Sequence, residues 1–396
     1  MTGTGLPLEG VRVVEMTHMV MGPTCGMILA QLGAEVIKVE PPAGDKTRSL
    51  GGMGTSFFPL FNRGKRSVVL DFAKPDDRET MHRLLASTDV FLENFRDGQL
   101  EKQGLGADEL RHKYPHLIVC GHKGFLSGPY EHRPALDEVV QMMSGLAAMT
   151  GTRKKPQRVG SSANDIMGGM FGAIAILAAL YQKRGGAKGA DKGADIRIGL
   201  FENCLFLVAQ HMVEYEMTGN KPRSMPEREH AWPIYDIFET AGGERIFIGV
   251  VTEGHWQSFC REFGMMEFLE DPALRTTTDR ILARSRIIPR AAEIRKRWNA
   301  ADLSATLDRL NIGVSPINRP EDLFDDPHVL RPGGLVNNIN ANGAPFRVPA
   351  LPIEWNGANI GEGLKVPVLG ADTAAVRAEL DEQDISSTGK TAARLA

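Results

Sequence analysis

The sequence predicts an α/β protein built on a doubly wound parallel sheet, joined by a second, smaller α+β domain. Two observations carry this expectation. Short apolar runs alternate with helix-like segments through the first half, and the texture changes near residue 221. Alternation is informative because parallel neighbours need a long crossover between them, most simply a helix. At 396 residues the chain has room for two or three domains. Hydrophobic residues supply 42% and charged residues 24%, enough to bury a core and too apolar for a disordered polymer.

The elements follow from local pattern. Val11 to Glu15 reads as a strand, Thr24 to Leu32 as a helix closed by Gly33, and Glu35 to Glu40 as a second strand. Ser67 to Phe72 and Asp89 to Leu92 repeat the strand pattern around a helix near Asp76–Ser87, and Leu117 to Gly121 follows another helix. Long helices are expected over Glu138–Met149 and Ile166–Arg184, then an exposed loop over Gly185–Asp195. Ile196 to Leu200 reads as a strand leading into a helix that ends near Thr218. Lys221 to Pro233, rich in Pro, Arg and Glu, reads as a linker or active-site loop. Ile234–Glu239 and Arg245–Val251, joined through Gly242-Gly243, suit an antiparallel hairpin. Helices are expected to about Asn311, strand–helix alternation after Val314, a last helix over Asp372–Asp381, and a mobile polar tail after Ile385.

Charge and cysteine usage narrow the function. Lys and Arg number 46 against 49 Asp and Glu, a net charge of −3, so nothing draws the whole chain to nucleic acid or an anionic membrane. Cys25, Cys120, Cys204 and Cys260 have no C-x-x-C spacing, which points to neither zinc nor a disulfide framework. The N-terminus MTGTGLPLEG lacks the basic and apolar regions of a signal peptide, and the apolar stretch Gly168–Tyr181 is too short to span a bilayer. A soluble cytoplasmic enzyme is the expectation.

No Walker loop, G-x-S-x-G elbow, H-E-x-x-H or EF-hand loop is present. The turn THMVMGPTCG over Thr17–Gly26 is either an ordinary strand-to-helix turn or a ligand loop. Asn62-Arg63-Gly64-Lys65-Arg66-Ser67 places cations just before a strand, either solvated or binding phosphates. Asp165 stands where a long apolar helix begins, among small residues; it reads as an N-cap or as a carboxylate nucleophile in a pocket that excludes water. Asp137 and Glu138 read as the first turn of the next helix or as a functional acidic pair. His230 and His255 have no partner spacing.

Several segments, in order, resemble the class III coenzyme A transferases, the family of formyl-CoA transferase and carnitine-CoA transferase. They are Leu8-Glu9-Gly10-Val11-Arg12-Val13-Val14-Glu15, Gly22-Pro23, Leu32 to Glu40, Asn62-x-x-Lys65-Arg66-Ser67, Asp89-Val90-x-x-Glu93-Asn94-Phe95-Arg96 and Asp137-x-x-x-Gln141-x-x-Ser144-Gly145-Leu146. The resemblance implies that Asp165 is the catalytic nucleophile, with Glu138 an acidic residue beside it. It implies coenzyme A contacts at Val20, Met21, Leu70, Asn94, Phe95, Arg96 and Lys102, with Asp137 near the pantetheine. Pro41 and Ala73 replace a family arginine and lysine, which leaves Lys46, Arg48 or Lys74 as candidates for the phosphates. No permanently bound cofactor is implied; acyl-CoA and a small carboxylic acid are the substrates.

The same resemblance implies a Rossmann-like large domain over residues 1–200 completed by 330–396, a linker helix and loop over 201–224, a small domain over 225–329, and an interlocked homodimer. Arg223, Arg228 and His230 fall in the substrate loop and suggest an acid with a second carboxylate. An α-methylacyl-CoA racemase on this fold would need a histidine where Leu136 stands, although Glu253 matches one of its acids. A non-catalytic CoA-binding protein would lack the nucleophile.

Overall fold

In a computed structural model that describes residues 5–185, 192–228 and 230–395, the chain forms two compact units. One comprises residues up to Pro226 together with those from Leu330 onward, and the other comprises Glu227–Val329. The loop expected over Gly185–Asp195 lies largely outside the described residues.

The first unit is organised by a sheet of strands β1 (Arg12–Met16), β2 (Glu35–Glu40), β3 (Arg66–Val69), β4 (Val90–Glu93), β5 (Ile118–Lys123) and β6 (Asp195–Gly199). Among the described residues these pair in the order β3-β2-β1-β4-β5-β6, every neighbour parallel. Helices α1 (Met21–Gln31), α2 (Phe57–Asn62), α3 (Pro75–Ala86) and α4 (Ala107–Lys113) fall between successive strands. Then come α5 (Asp137–Met143), α6 (Leu146–Thr150) and α7 (Ala163–Arg184) before β6, with α8 (Leu200–Thr218) after it. One face of the sheet packs Val14, Ile37 and Phe91 against Leu84 and Leu110; the other packs Val13, Val36 and Leu92 against Leu29 and Ile176. Strands buried on both faces need no polar alternation, which is why they read as short apolar runs. In such a sheet the order reverses between β1 and β4, and ligands bind beyond the carboxyl ends of the strands there.

Small residues set the packing of α7 on α1. A Cβ on Gly168 would lie 2.5 Å from Met21 Cε, and one on Gly169 would lie 2.6 Å from the Met21 carbonyl oxygen. A Cβ on Gly172 would lie 2.4 Å from His122 Nε2. The helix spans 22 residues, longer than the apolar stretch read from sequence, and is long and apolar enough by length and composition to cross a membrane. Its Gly168, Gly169, Gly172, Ala173 and Ile176 are nonetheless buried within this unit.

Three further expectations are corrected. The helix expected over Glu138–Met149 breaks into α5 and α6 because Gly145 sits in the left-handed region at φ 87°. The run Asn62–Ser67 is neither a solvated loop nor a phosphate cradle. Arg63 and Lys65 are buried, Lys65 ion-paired with Glu15, and Arg66 is tied to Glu35 and Glu379. After Val314 the chain makes antiparallel ribbons instead of alternating strands and helices, as given below.

The second unit is α+β. β7 (Ile234–Glu239), β8 (Arg245–Val250) and β9 (Gly313–Pro316) form an antiparallel sheet in that order. It packs with α9 (Glu253–Glu262), α10 (Met266–Leu269), α11 (Thr277–Leu282), α12 (Arg284–Ala292) and α13 (Ala300–Arg309) around Trp256, Phe259, Ile287 and Leu307. Glu253 opens α9 and pairs with Arg280. The chain then returns to the first unit through the ribbons β10 (Leu335–Ile339) with β11 (Pro345–Pro349) and β12 (Glu354–Trp355) with β13 (Ala358–Asn359). It ends on α14 (Thr373–Leu395), which continues past both the expected helix end and the start of the expected mobile tail.

Candidate active site

The start of α7 meets the start of α5. Asp165 is the third residue of α7, and Ser162 is the N-cap, so the aspartate is not the cap that its sequence position suggested. Ser162 makes no capping hydrogen bond. Buried Asn164 fixes the helix start instead: its Nδ2 donates to the Leu200 carbonyl at 3.1 Å, and Asn203 Nδ2 donates to its carbonyl at 2.6 Å and its Oδ1 at 2.7 Å. Asp165 is thereby held half-buried. Burial, reinforced by the negative charge of Asp137 and opposed by Arg158, pushes its carboxyl up to about 7. A first-turn carboxylate is favoured by the helix dipole. Here burial and the second carboxyl outweigh that attraction.

Asp137 opens α5, and Gln141, one turn later, donates from Nε2 to its Oδ2 at 2.7 Å. Its Oδ1 is buried, and the Asp165 backbone amide helps to favour the ionised Asp137 carboxyl. Burial raises the Asp137 carboxyl above its ordinary range, with Gln141 and Arg158 pulling the other way and Glu138 adding to the rise. Gln141 Oε1 accepts from the Val159 amide at 2.9 Å, so one buried side chain orients Asp137 and fastens the segment that leads to Asp165. Arg158, next to Val159, is ion-paired with the exposed Glu138. Glu138 thus joins the cluster through Arg158.

A second group gathers at the switch point between β1 and β4. The Asn94 side chain clamps His18 through both backbone groups: its Oδ1 accepts from His18 N at 3.0 Å and its Nδ2 donates to His18 O at 2.8 Å. Phe95 stands edge-on to the His18 ring at 5.8 Å. Val20 and Met21 are buried at the start of α1, while Arg96 is exposed. Leu70 lies in the core at 0% exposure, which leaves its side chain no access to a ligand. Lys102 is exposed on a short turn of helix.

Of the candidate phosphate ligands, Arg48 is already committed. It pairs with Glu40 at 2.7 Å, donates to the Pro367 carbonyl and covers the Phe58 ring at 3.8 Å. Lys46 and Lys74 are exposed. Arg96 also borders a cavity of about 460 Å³ at the β4–β5–β6 end of the sheet, with Lys123 and Arg197. Glu93, Asp97, Glu131 and Asp195 share that lining, a poor environment for an anion.

Sequence reasoning missed Arg158, Gln141, His18 and Asn164. Only the Asp137/Gln141 spacing carried a signal, because residues four apart share a helix face.

The pattern of CoA-transferase family III matches residues 8–373, nearly the whole chain. The chain belongs to CoA-transferase family III. Within the family it is 30% identical over 395 residues to succinate–glutarate CoA-transferase of Agrobacterium fabrum, covering 96% of this chain and 98% of that one. It is 30% identical to succinyl-CoA–D-citramalate CoA-transferase of Chloroflexus aurantiacus, covering 90% of this chain and 92% of that one. The crystal structure of a CAIB/BAIF family protein from Brucella suis superposes with a TM-score of 0.83 at 33% identity, covering 95% of this chain and 99% of that one. This family III member is an enzyme of the CoA-transferase class, with the family's α/β sheet.

Proposed function

We propose that this enzyme moves coenzyme A from an acyl-CoA donor to a small dicarboxylic acid, with Asp165 as the nucleophile. The observation that carries the reading is the half-buried Asp165 carboxyl, raised to about 7 beside a second carboxyl and reached by the charge of Arg158. Burial that disfavours the carboxylate makes it a stronger nucleophile once ionised. A carboxylate oxygen of Asp165 attacks the thioester carbonyl, the C–S bond breaks, and CoA leaves as thiolate from a mixed anhydride. The thiolate attacks the Asp165 carbonyl of that anhydride, expelling the donor acid as carboxylate and leaving an aspartyl-CoA thioester. The acceptor carboxylate attacks this thioester, releasing thiolate and forming a second anhydride. Thiolate attack on the acceptor's acyl carbon gives the new acyl-CoA and returns Asp165. Covalent capture keeps the thioester's free energy from being lost to hydrolysis.

The relatives named for succinate, glutarate and citramalate support a dicarboxylate, as do the Arg223, Arg228 and His230 positions read from sequence. With succinyl-CoA as donor, glutarate and its relatives are expected to exceed long aliphatic monocarboxylates by roughly tenfold or more in kcat/KM. A chromatographic panel of acids reads this; equal rates with aliphatic acids would remove the dicarboxylate preference. Leu136, 65% exposed, offers no proton where a racemase would need a base.

Asp137 has a distinct expected effect. Its charge contributes to the raised Asp165 carboxyl, so Asp137→Asn is expected to move the acid limb of anhydride formation down by about one pH unit. Single-turnover rates between pH 5 and 8 would show it, and an unmoved limb would separate the two carboxyls.

We also propose that the working enzyme is a homodimer. Exposed apolar side chains recur along α7 and α8: Ile174, Tyr181, Phe206, Met212 and Met217 are each more than half exposed. A patch of this kind marks an interaction surface. Light scattering is expected to give twice the chain mass, and a stable folded monomer would contradict it.

A further inference from the structure

Beneath the switch point lies a buried group of charges that the proposed chemistry does not use. Glu15 of β1, Lys38 of β2, Asp45 and Lys65 are each at most 6% exposed. Lys65 Nζ sits 2.7 Å from Glu15 Oε2 and donates to Asn62 Oδ1 and to the Pro23 carbonyl, both at 3.0 Å. Lys38 Nζ sits 3.0 Å from Asp45 Oδ2 and donates to the Thr17 carbonyl at 2.7 Å. The Thr17 hydroxyl in turn donates to Glu15 Oε1 at 2.7 Å. Two cations face two carboxylates, and the spare donor of each lysine goes to a backbone carbonyl.

Those carbonyls bracket the turn between β1 and α1. Between them the backbone of His18 is held by Asn94, and Met19 adopts φ 65°, a left-handed conformation that a non-glycine residue keeps only when its surroundings enforce it. The chain makes room for this arrangement: a Cβ on Gly26 would lie 1.8 Å from Glu15 Oε2. Beyond the turn, Met21 packs on Gly168, three residues after Asp165 on α7. Buried ion pairs are weak sources of net stability, since desolvation consumes most of their attraction. A retained cluster in which each lysine gives one donor to a carbonyl flanking the same strained turn suits a role in geometry.

We propose that Lys38 and Lys65 are positioning residues that lock the β1–α1 turn, through the Thr17 and Pro23 carbonyls, in the shape that receives the acyl-CoA. The inference rests on the proposed function for the identity of that ligand. Lys65→Met alone takes from buried Glu15 its shortest ion pair, leaving it only the Lys38 contact at 3.4 Å and the Thr17 hydroxyl, and is liable to unfold the unit. The informative variant is Glu15→Gln with Lys65→Met, which removes one charge of each sign together with the Glu15–Lys38 contact at 3.4 Å, leaves Lys38 on Asp45 at 3.0 Å, and frees the Pro23 carbonyl.

Calorimetric titration with acetyl-CoA tests this without requiring turnover. The double variant is expected to unfold at a temperature close to that of the wild type and to bind acetyl-CoA about tenfold or more weakly. In steady state KM for acyl-CoA should rise by a similar factor while kcat at saturation stays nearly unchanged. Wild-type affinity in a folded double variant would overturn the proposal. So would a double variant that cannot fold, because the cluster would then serve the fold and not the turn. Wild-type enzyme that binds acetyl-CoA but transfers nothing would defeat the proposed function alone.

Discussion

Asp165→Asn is expected to abolish CoA transfer, by at least roughly 10³-fold, and at the same time to make the protein more stable above pH 7. The first half follows from losing the attacking oxygen. The second follows from the raised carboxyl. Well below pH 3.8, Asp165 is protonated in the folded and unfolded chain alike, and its titration contributes nothing. Between the ordinary aspartate value of 3.8 and about 7, the folded protein holds a proton that the unfolded chain has released. Stability therefore falls as pH rises through that window, and the loss is complete above it. Asparagine carries no charge at any of these pH values, so its advantage grows from nothing well below pH 3.8 to roughly 1–3 kcal/mol at pH 8, after allowance for solvent screening. A residue serving only to cap the helix would behave differently: asparagine caps about as well as aspartate, so the replacement would leave stability at pH 8 and turnover both nearly unchanged. Thermal melts at pH 4.5 and pH 8, set beside transfer assays, separate the two. A variant that is no more stable at pH 8 and still active would contradict the nucleophile.

Gly169→Val is expected to cost about 3 kcal/mol of stability, among the largest effects available outside the charged site. Its Cβ would stand 2.6 Å from the Met21 carbonyl oxygen and 2.6 Å from Thr24 Cβ, and the carbonyl belongs to helix backbone that cannot swing aside. α1 and α7 must separate, carrying the switch-point turn away from Asp165. Gly160→Ala is the control, since a Cβ there meets nothing within 4 Å. It should stay within about 0.5 kcal/mol of the wild type. Urea unfolding reads both: the Gly169 variant should show a lower midpoint at an unchanged slope. A midpoint equal to that of the control would mean that α1 and α7 are not in close contact.

Much of the fold was legible because strands buried on both faces leave a local signature. β2 lies at Glu35–Glu40 as read, and β1 and β4 differ from their expected bounds by one residue at each end. The break at Gly145 was misread although Ser144-Gly145 stood in the sequence, because the apolar run continues across it and only the backbone angle reveals the kink. The ribbons after Val314 were misread as alternation, since short runs such as Pro345–Pro349 carry no sign of which partner they pair with.

The charged residues were the least legible. Whether Lys65 is solvated, bound to phosphate or buried depends on Glu15, fifty residues earlier, and on Gly26, whose missing side chain admits the carboxylate. Asp165 gave a sharper signal in its small, apolar surroundings. Its place at the third position of α7, though, is set by Asn164 binding α8, a contact that no local pattern encodes.

The nucleophile can be tested directly by trapping. Wild-type enzyme incubated with succinyl-CoA and then hydroxylamine, digested and analysed by mass spectrometry, should carry a hydroxamate on Asp165, 15 mass units heavier than the free acid by the exchange of OH for NHOH. The Asp165→Ala protein should carry none. A hydroxamate on Asp137 or Glu138 instead, or no label under conditions in which the wild type transfers CoA, would contradict the account.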